Sequence, residues 1–145
     1  MNEKITKIKE GIVIDHIDIG KVKEVAEILN LDTETPYTLG MNYESGKIGK
    51  KDVLKIEGKE LDEEDLNKVA LIALNATINK IVNYKVVSKR KVELPKLIKG
   101  IVRCFNPNCI TRYEDVETQF DVVKKNPLIL RCYYCEKSSS KVELI

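Results

Sequence analysis

The residues with the most chemistry to offer are four cysteines in the last third of the chain. Cys104 and Cys109 lie in RCFNPNCIT, and Cys132 and Cys135 in RCYYCEK. The spacing is Cys-x4-Cys, then residues 110–131, then Cys-x2-Cys, and the chain has no other cysteine. Thiolates are soft ligands, and four of them satisfy tetrahedral Zn²⁺ without leaving a position open for a substrate. Each short pair lets one backbone knuckle present two sulfurs, and the insert is long enough to bring the second knuckle round. The pattern predicts one closed, structural zinc ion per chain. Two disulfides would suit a secreted chain, but the Met-Asn-Glu-Lys start carries no apolar signal segment. A dithiol redox site would use a lone Cys-x-x-Cys beside a βαβ unit. A single iron also accepts a cage of four sulfurs, and spacing does not separate it from zinc.

The first two-thirds offers a scatter of polar groups instead: Lys51, Lys55, Lys89, Arg90, Asn79, Tyr84 and the pair Asp15-His16. Ammonium groups can meet a polyphosphate, an aspartate can accept from ribose hydroxyls, and a tyrosine can pack on a base. The plainer account of a lysine on a strand is a solvated side chain, and of a lone histidine an ordinary edge or core residue. No glycine-rich phosphate loop is present, and neither is a serine nucleophile elbow or a His-Glu-x-x-His. Asp62, Glu63 and Glu64 precede an apolar stripe, where capping a helix explains them. These absences predict a binding protein, not an enzyme.

Length and composition constrain what positions these groups. The chain has 145 residues, is 43% hydrophobic and 33% charged, and has no Trp. That is enough for one ordinary domain or two small ones. No apolar run approaches the roughly 18 residues of a membrane span, and a cytoplasmic protein is expected. The abundance of Lys, Glu and Ile is of the kind found in heat-adapted proteins. ITKIKEGIVIDHI predicts a strand, KVKEVAEILN a helix, and TPYTLGMNYES a strand with Tyr37, Leu39, Met41 and Tyr43 on one face. A turn at Ser45-Gly46-Lys47 returns the chain as KKDVLKIEG. A second helix with Leu66, Val69, Ala70 and Ala73 inward is followed by one long strand over ATINKIVNYKVVSKRKVEL. The order β-α-β-β-α-β is the split βαβ, or ferredoxin-like, arrangement of an α+β protein.

Pro95 cannot continue a ladder and restricts Leu94, so the expected domains are 1–94 and 95–145. The second is too short for a sizeable apolar core and would depend on its metal. VETQFDVVKK, PLILRCYY and KVELI predict short strands in it. The first 95 residues carry 16 basic and 17 acidic side chains and the rest 9 and 6. A nucleic-acid-binding zinc ribbon, the main rival, would want a basic stripe with exposed aromatics. Tyr133, Tyr134, Arg131 and Lys137 supply part of one, and Glu114, Asp115 and Glu117 dilute it.

Four motifs in series resemble one family. Gly11-x-Val13-Ile14-Asp15-His16-Ile17 resembles the N-terminal signature GTVIDHI of the regulatory chain of aspartate carbamoyltransferase. Ser45-Gly46-x-x-Gly49-x-Lys51-Asp52-x-x-Lys55-Ile56-Glu57 is similar to its hairpin, and residues 76–89 to its last strand. The cysteine knuckles, with Asn106 and Asn108-Cys109-Ile110 and then Cys132-x-x-Cys135-Glu136-Lys137, match as well. The resemblance implies a non-catalytic chain whose N-terminal allosteric domain binds CTP, UTP or ATP and whose zinc domain docks on the catalytic chain. It also implies a homodimer of regulatory chains bridging catalytic trimers, with no nucleic-acid or membrane partner. By position, Asp15 would contact the ribose with His16 beside it. Lys55 and Lys89 would face the phosphates, helped by Lys51. Asn79, Ile81, Tyr84 and Val86 would line the base and sugar region, with Ile8 and Val13 nearby. Two departures from enteric bacterial members, a shorter Asp18-Ile19-Gly20 segment and Lys7, lie near the base pocket.

Overall fold

The β-branched run Ile12-Val13-Ile14 becomes the central strand of a five-stranded sheet in the computed structural model, which describes residues 8–31, 35–46 and 49–145. Ile5-Thr6-Lys7 of the first predicted strand, the departure at Lys7, and Lys47 of the turn signal lie outside the described residues. The chain divides into two compact units, residues 1–94 and 95–145.

The first unit contains β1 (Glu10–Ile17), α1 (Val22–Ile28), β2 (Tyr37–Ser45), β3 (Gly49–Glu57), α2 (Glu63–Ile72), β4 (Thr77–Val82) and β5 (Lys85–Lys91). The sheet order is β2-β3-β1-β4-β5, with every neighbouring pair antiparallel. This is the split βαβ arrangement with one strand added. The expected single long strand over residues 76–94 is instead a hairpin. Asn83 and Tyr84 reverse the chain with φ of 51° and 66°, the left-handed pair that a two-residue turn requires. Asn-Tyr lacks the glycine that usually marks such a turn, and the flanking Val86-Val87 continues a strand-like pattern.

The apolar alternation of β2 also fails to hold one face. Gly40 pairs with Val53 but Tyr43 with Lys51, so three residues of β2 oppose two of β3. The extra residue is a bulge at Asn42, with φ of 63°. It turns Tyr43 onto the face of Gly40, where a Cβ would run into the tyrosine ring. Tyr37, Leu39, Met41 and Tyr43 all remain 37–45% exposed.

Asp52 ties these irregularities together. Its buried carboxylate accepts from the backbone N–H of Gly20 (2.9 Å), Val22 (3.4 Å) and Asn42 (3.1 Å). One side chain therefore holds the start of α1 and the β2 bulge against β3. At α2, Asp62 forms a capping box with Asp65: the Asp65 N–H donates to Asp62 (2.8 Å) and the Asp62 N–H to Asp65 (3.2 Å). Val69, Ala70, Leu71 and Ala73 are buried, whereas Leu66 is only half-buried. The core on the helix side includes Ile14, Ile17, Leu54, Ile56, Val22 and Val25. On the opposite face Ile8, Val13, Val53 and Ile81 form a smaller buried cluster.

Gly11 is required where β1 crosses β3. Its φ is 149°, and a Cβ there would strike the Ile56 carbonyl oxygen. Gly11→Ala is expected to destabilise the first unit by about 2 kcal/mol, the scale of overpacking a tight site. Denaturant unfolding followed by circular dichroism checks this; an unchanged midpoint would contradict it.

The second unit contains β6 (Leu97–Lys99), β7 (Val102–Arg103), a 3-10 turn (Ile110–Arg112), β8 (Gln119–Lys125), β9 (Leu128–Cys132), β10 (Ser138–Ser139) and β11 (Glu143–Leu144). A four-stranded sheet, β10-β9-β8-β6, accompanies a separate β11-β7 ladder. The three expected short strands are β8, β9 and β11. Ile98, Val102, Phe120 and Leu130 are buried there beside three of the cysteines, a small core for its length. Among the described residues no helix is long and apolar enough to cross a membrane.

Candidate functional site

The four cysteines converge. Cys104 follows β7, Cys109 precedes the 3-10 turn, Cys132 ends β9, and Cys135 lies in the turn beyond it. All four sulfurs lie within 4.8 Å of one another. Cys104 and Cys135 are 3.7 Å apart, and Cys109 and Cys132 are 3.8 Å apart. Thiolates about 2.3 Å from a tetrahedral zinc ion sit about 3.8 Å from each other, so the donor set and its size fit one zinc ion. These separations are well beyond the roughly 2.05 Å of an S–S bond, so the sulfurs are arranged as a ligand cage and not as disulfides.

The knuckles hold the sulfurs through backbone N–H groups and short side chains. The Thr111 hydroxyl donates to Cys109 (3.1 Å), and Arg112 Nε donates to the Cys104 carbonyl (2.8 Å). Asn106 is buried and accepts from the Asn108 N–H (3.1 Å), closing a local turn inside the first knuckle. Burial pushes the Cys104 thiol up to about 12, against a lowering hydrogen bond from the Asn106 backbone. Burial also raises Cys132, opposed by the backbone of Cys135 and Tyr134. At Cys135 burial acts upward too, but the Lys137 backbone, Asn106 and the neighbouring thiols together bring it down to about 7. Four adjacent thiols resist ionising together, and a divalent cation relieves that conflict by displacing their protons.

The first unit gathers its polar groups on the sheet face opposite the helices. Val13 pairs with Lys55 on one side and with Asn79 on the other, and Asn79 pairs with Lys89. Register partners share a face, so Lys55, Val13, Asn79 and Lys89 form one row across four adjacent strands. At about 4.8 Å per strand the two lysines stand roughly 14 Å apart at the backbone. Asn79 is fully buried, its amide donating to the Val13 carbonyl (3.3 Å). Its Oδ1 has no partner among the described residues. A buried acceptor left unpaired is costly and marks a place where a donor belongs.

Next along the same face is an acid cluster with a built-in irregularity. Ile14 pairs with Leu54 but Ile17 with Asp52, so Asp15 and His16 form a bulge in β1. Bulges of this kind re-aim side chains. His16 takes φ of 57°, which brings its ring Nδ1 to 3.2 Å from Thr77 Oγ1. Its backbone N–H donates to Asp15 Oδ1 (2.7 Å), and Lys51 Nζ lies 2.8 Å from the same oxygen. Lys51 is thus drawn to Asp15; the family resemblance implied a helper of Lys55 and Lys89 at the phosphates. Ile8 and Ile81 lie in the apolar cluster alongside. Val86 pairs with Ile81 across the last hairpin, and Tyr84 stands exposed in its turn. Arg90 is separated from this set. It pairs in register with Ile78 and forks onto Glu63 at 3.1 and 3.5 Å.

Two groups at this site were not singled out from sequence. Thr77 is the register partner of Asp15, and nothing in an apolar-to-strand transition distinguishes it. Asp52 carried a signal, because an acid in the middle of a strand goes against β preference and needs partners.

The family model for the aspartate carbamoyltransferase regulatory chain, allosteric domain, matches residues 3–93. The model for the metal binding domain of the same chain matches residues 96–145. The chain belongs to the aspartate carbamoyltransferase regulatory chain family. Curated regulatory chains that it resembles include one from Pyrococcus horikoshii, 53% identical over 145 residues, covering 98% of this chain and 95% of the relative. The regulatory chain of Methanocaldococcus jannaschii is 51% identical over 139 residues, covering 96% and 93%. That of Thermococcus sibiricus is 50% identical over 135 residues, covering 93% and 90%. A regulatory chain is the non-catalytic subunit of its enzyme, in keeping with the lack of a nucleophile motif. The two family models also account for both units of the fold, one allosteric and one metal-binding. They support the regulatory-chain reading and not the nucleic-acid ribbon. Arg131, a cation that ribbon would need, is engaged with Asp121 at 3.2 Å.

Proposed function

We propose that the first unit binds CTP, UTP and ATP in competition on the sheet face opposite its helices. The row Lys55–Val13–Asn79–Lys89 carries this reading. Two ammonium groups flank the row and can offset much of a triphosphate's charge. Asn79 lies between them in the row, so a nucleotide spanning the two lysines would lie over it. Asp15 would take the ribose, with His16 near it, and Ile8, Val13, Ile81, Tyr84 and Val86 would supply the apolar and edge contacts. Each nucleotide would shift the holoenzyme only through its different affinity for two quaternary states.

The remaining surfaces suit assembly in the cytoplasm. The two sheet edges differ: β5 is guarded by Lys85, Lys89, Arg90 and Lys91, while β2 presents exposed Tyr37, Leu39 and Met41. An unguarded apolar edge is the one that pairs with another chain, so β2 is where two regulatory chains would meet as a homodimer. In the second unit Ile110, Tyr113, Tyr133 and Tyr134 stand exposed beside the cysteine knuckles. That surface would dock on the catalytic chain, with zinc holding its shape.

Calorimetric titration of the zinc-loaded chain with CTP, UTP and ATP tests the nucleotide reading. Lys55→Ala is expected to weaken binding by about tenfold or more, the scale of one charge-assisted contact. Light scattering is expected to show its assembly unchanged. Equal nucleotide affinity in wild type and Lys55→Ala would contradict the reading.

A further inference from the structure

The ion pair between Lys51 and Asp15 is the least exposed in the first unit. Their side chains are 12% and 6% exposed, against 47% or more for both partners of every other pair there. Asp15 Oδ1 receives both the Lys51 ammonium (2.8 Å) and the His16 N–H (2.7 Å). Both contacts fall on Oδ1, the oxygen nearest Lys51. The carboxylate is thus held through Oδ1 from two directions. A charge held this way is committed to its partner, because separating an enclosed pair leaves each ion uncompensated.

We propose that Lys51 is a positioning residue and not a phosphate ligand. It fixes the Asp15 carboxylate so that Oδ2 is offered to the ribose hydroxyls, and the pair thereby makes the site prefer ribonucleotides. This rests on the nucleotide reading above and assigns a different role within it. Phosphate recognition is left to Lys55 and Lys89, which lie on the neighbouring row. A group that hydrogen-bonds a substrate hydroxyl rejects the analogue lacking it, because a buried polar atom is then left unpaired. Strength of discrimination depends on how firmly that group is held, which is the function of Lys51 here.

The test is calorimetric binding of CTP, 2′,3′-dideoxy-CTP and inorganic tripolyphosphate to the zinc-loaded full chain. Wild type is expected to favour CTP over the dideoxy analogue by about tenfold or more. Lys51→Met should cut that ratio to about threefold or less while tripolyphosphate affinity stays within about twofold, and Lys51→Arg should restore the ratio. Loss of tripolyphosphate binding by about tenfold in Lys51→Met, with the ratio intact, would overturn the assignment by making Lys51 a phosphate ligand. Asp15→Asn keeps the side-chain size and reads the same ratio if Lys51→Met folds poorly; a ratio unchanged there also overturns it. Wild type that binds CTP and its dideoxy analogue equally overturns the assignment and leaves the nucleotide reading standing. Wild type that binds none of the three overturns both.

Discussion

Stripping zinc from the four-cysteine cluster is expected to unfold residues 95–145 and leave residues 1–94 folded. The second unit's elements are short: two of its seven regular segments are strands of three residues or fewer that pair only with one another, β7 and β11. A domain of this size rarely stabilises itself by apolar burial alone. Structural zinc contributes on the order of 10 kcal/mol, more than the whole stability of many domains. The cysteines also occupy core positions, with Cys104, Cys109 and Cys132 at 0–1% exposed. Loss of the ion therefore opens the centre of the unit and not its rim. Limited proteolysis with and without chelator, read by mass spectrometry, separates the two units. Cuts confined to residues 95–145 after chelation are expected, and Cys109→Ala should reproduce them without chelator. A second unit that stays protected without metal would show that zinc does not hold it together.

The second large effect is expected at Asp52. Asp52→Ala removes the acceptor of three backbone N–H groups, from Gly20, Val22 and Asn42. Hydrogen bonds to a charged group contribute about 1.5–3 kcal/mol each, and an unpaired buried donor adds its own desolvation cost. These terms overlap, so the expected destabilisation of the first unit is about 4 kcal/mol. The damage should be local before it is global. The β2 bulge and the start of α1 lose their common anchor, and Lys51, the next residue along β3, loses its setting beside Asp15. Denaturant unfolding of the first unit reads the effect as a midpoint shift. A loss under about 1 kcal/mol would mean that solvent satisfies those N–H groups and that Asp52 is not the organiser proposed.

The metal centre was legible in the sequence almost to its geometry, because ligand type and spacing act locally within each knuckle. The order of elements as far as Val82 was legible for a similar reason, through runs such as Ile12-Val13-Ile14 and the acids before α2. What escaped depends on single backbone conformations. Asn42, His16, Asn83 and Tyr84 all take positive φ, and none is a glycine. Each creates a bulge or reversal that changes which side chains share a face: Asn42 parts Tyr43 from Leu39, and Asn83-Tyr84 folds one expected strand into two. His16 sets the Asp15 cluster, a consequence no alternation pattern reveals. The candidate nucleotide residues were named through family resemblance, and their chemistry alone would not have separated Lys55 from the other lysines. The engagement of Lys51 with Asp15 and of Arg90 with Glu63 needed three dimensions, since each pair joins different elements.

The most direct test of the central claim is to mix the zinc-loaded chain with cognate aspartate carbamoyltransferase catalytic trimers and measure mass by light scattering, with and without a zinc chelator. Growth to a larger complex that is lost on chelation is the predicted result. No complex with the trimers, despite intact zinc, would contradict the account of this chain as the regulatory link between them.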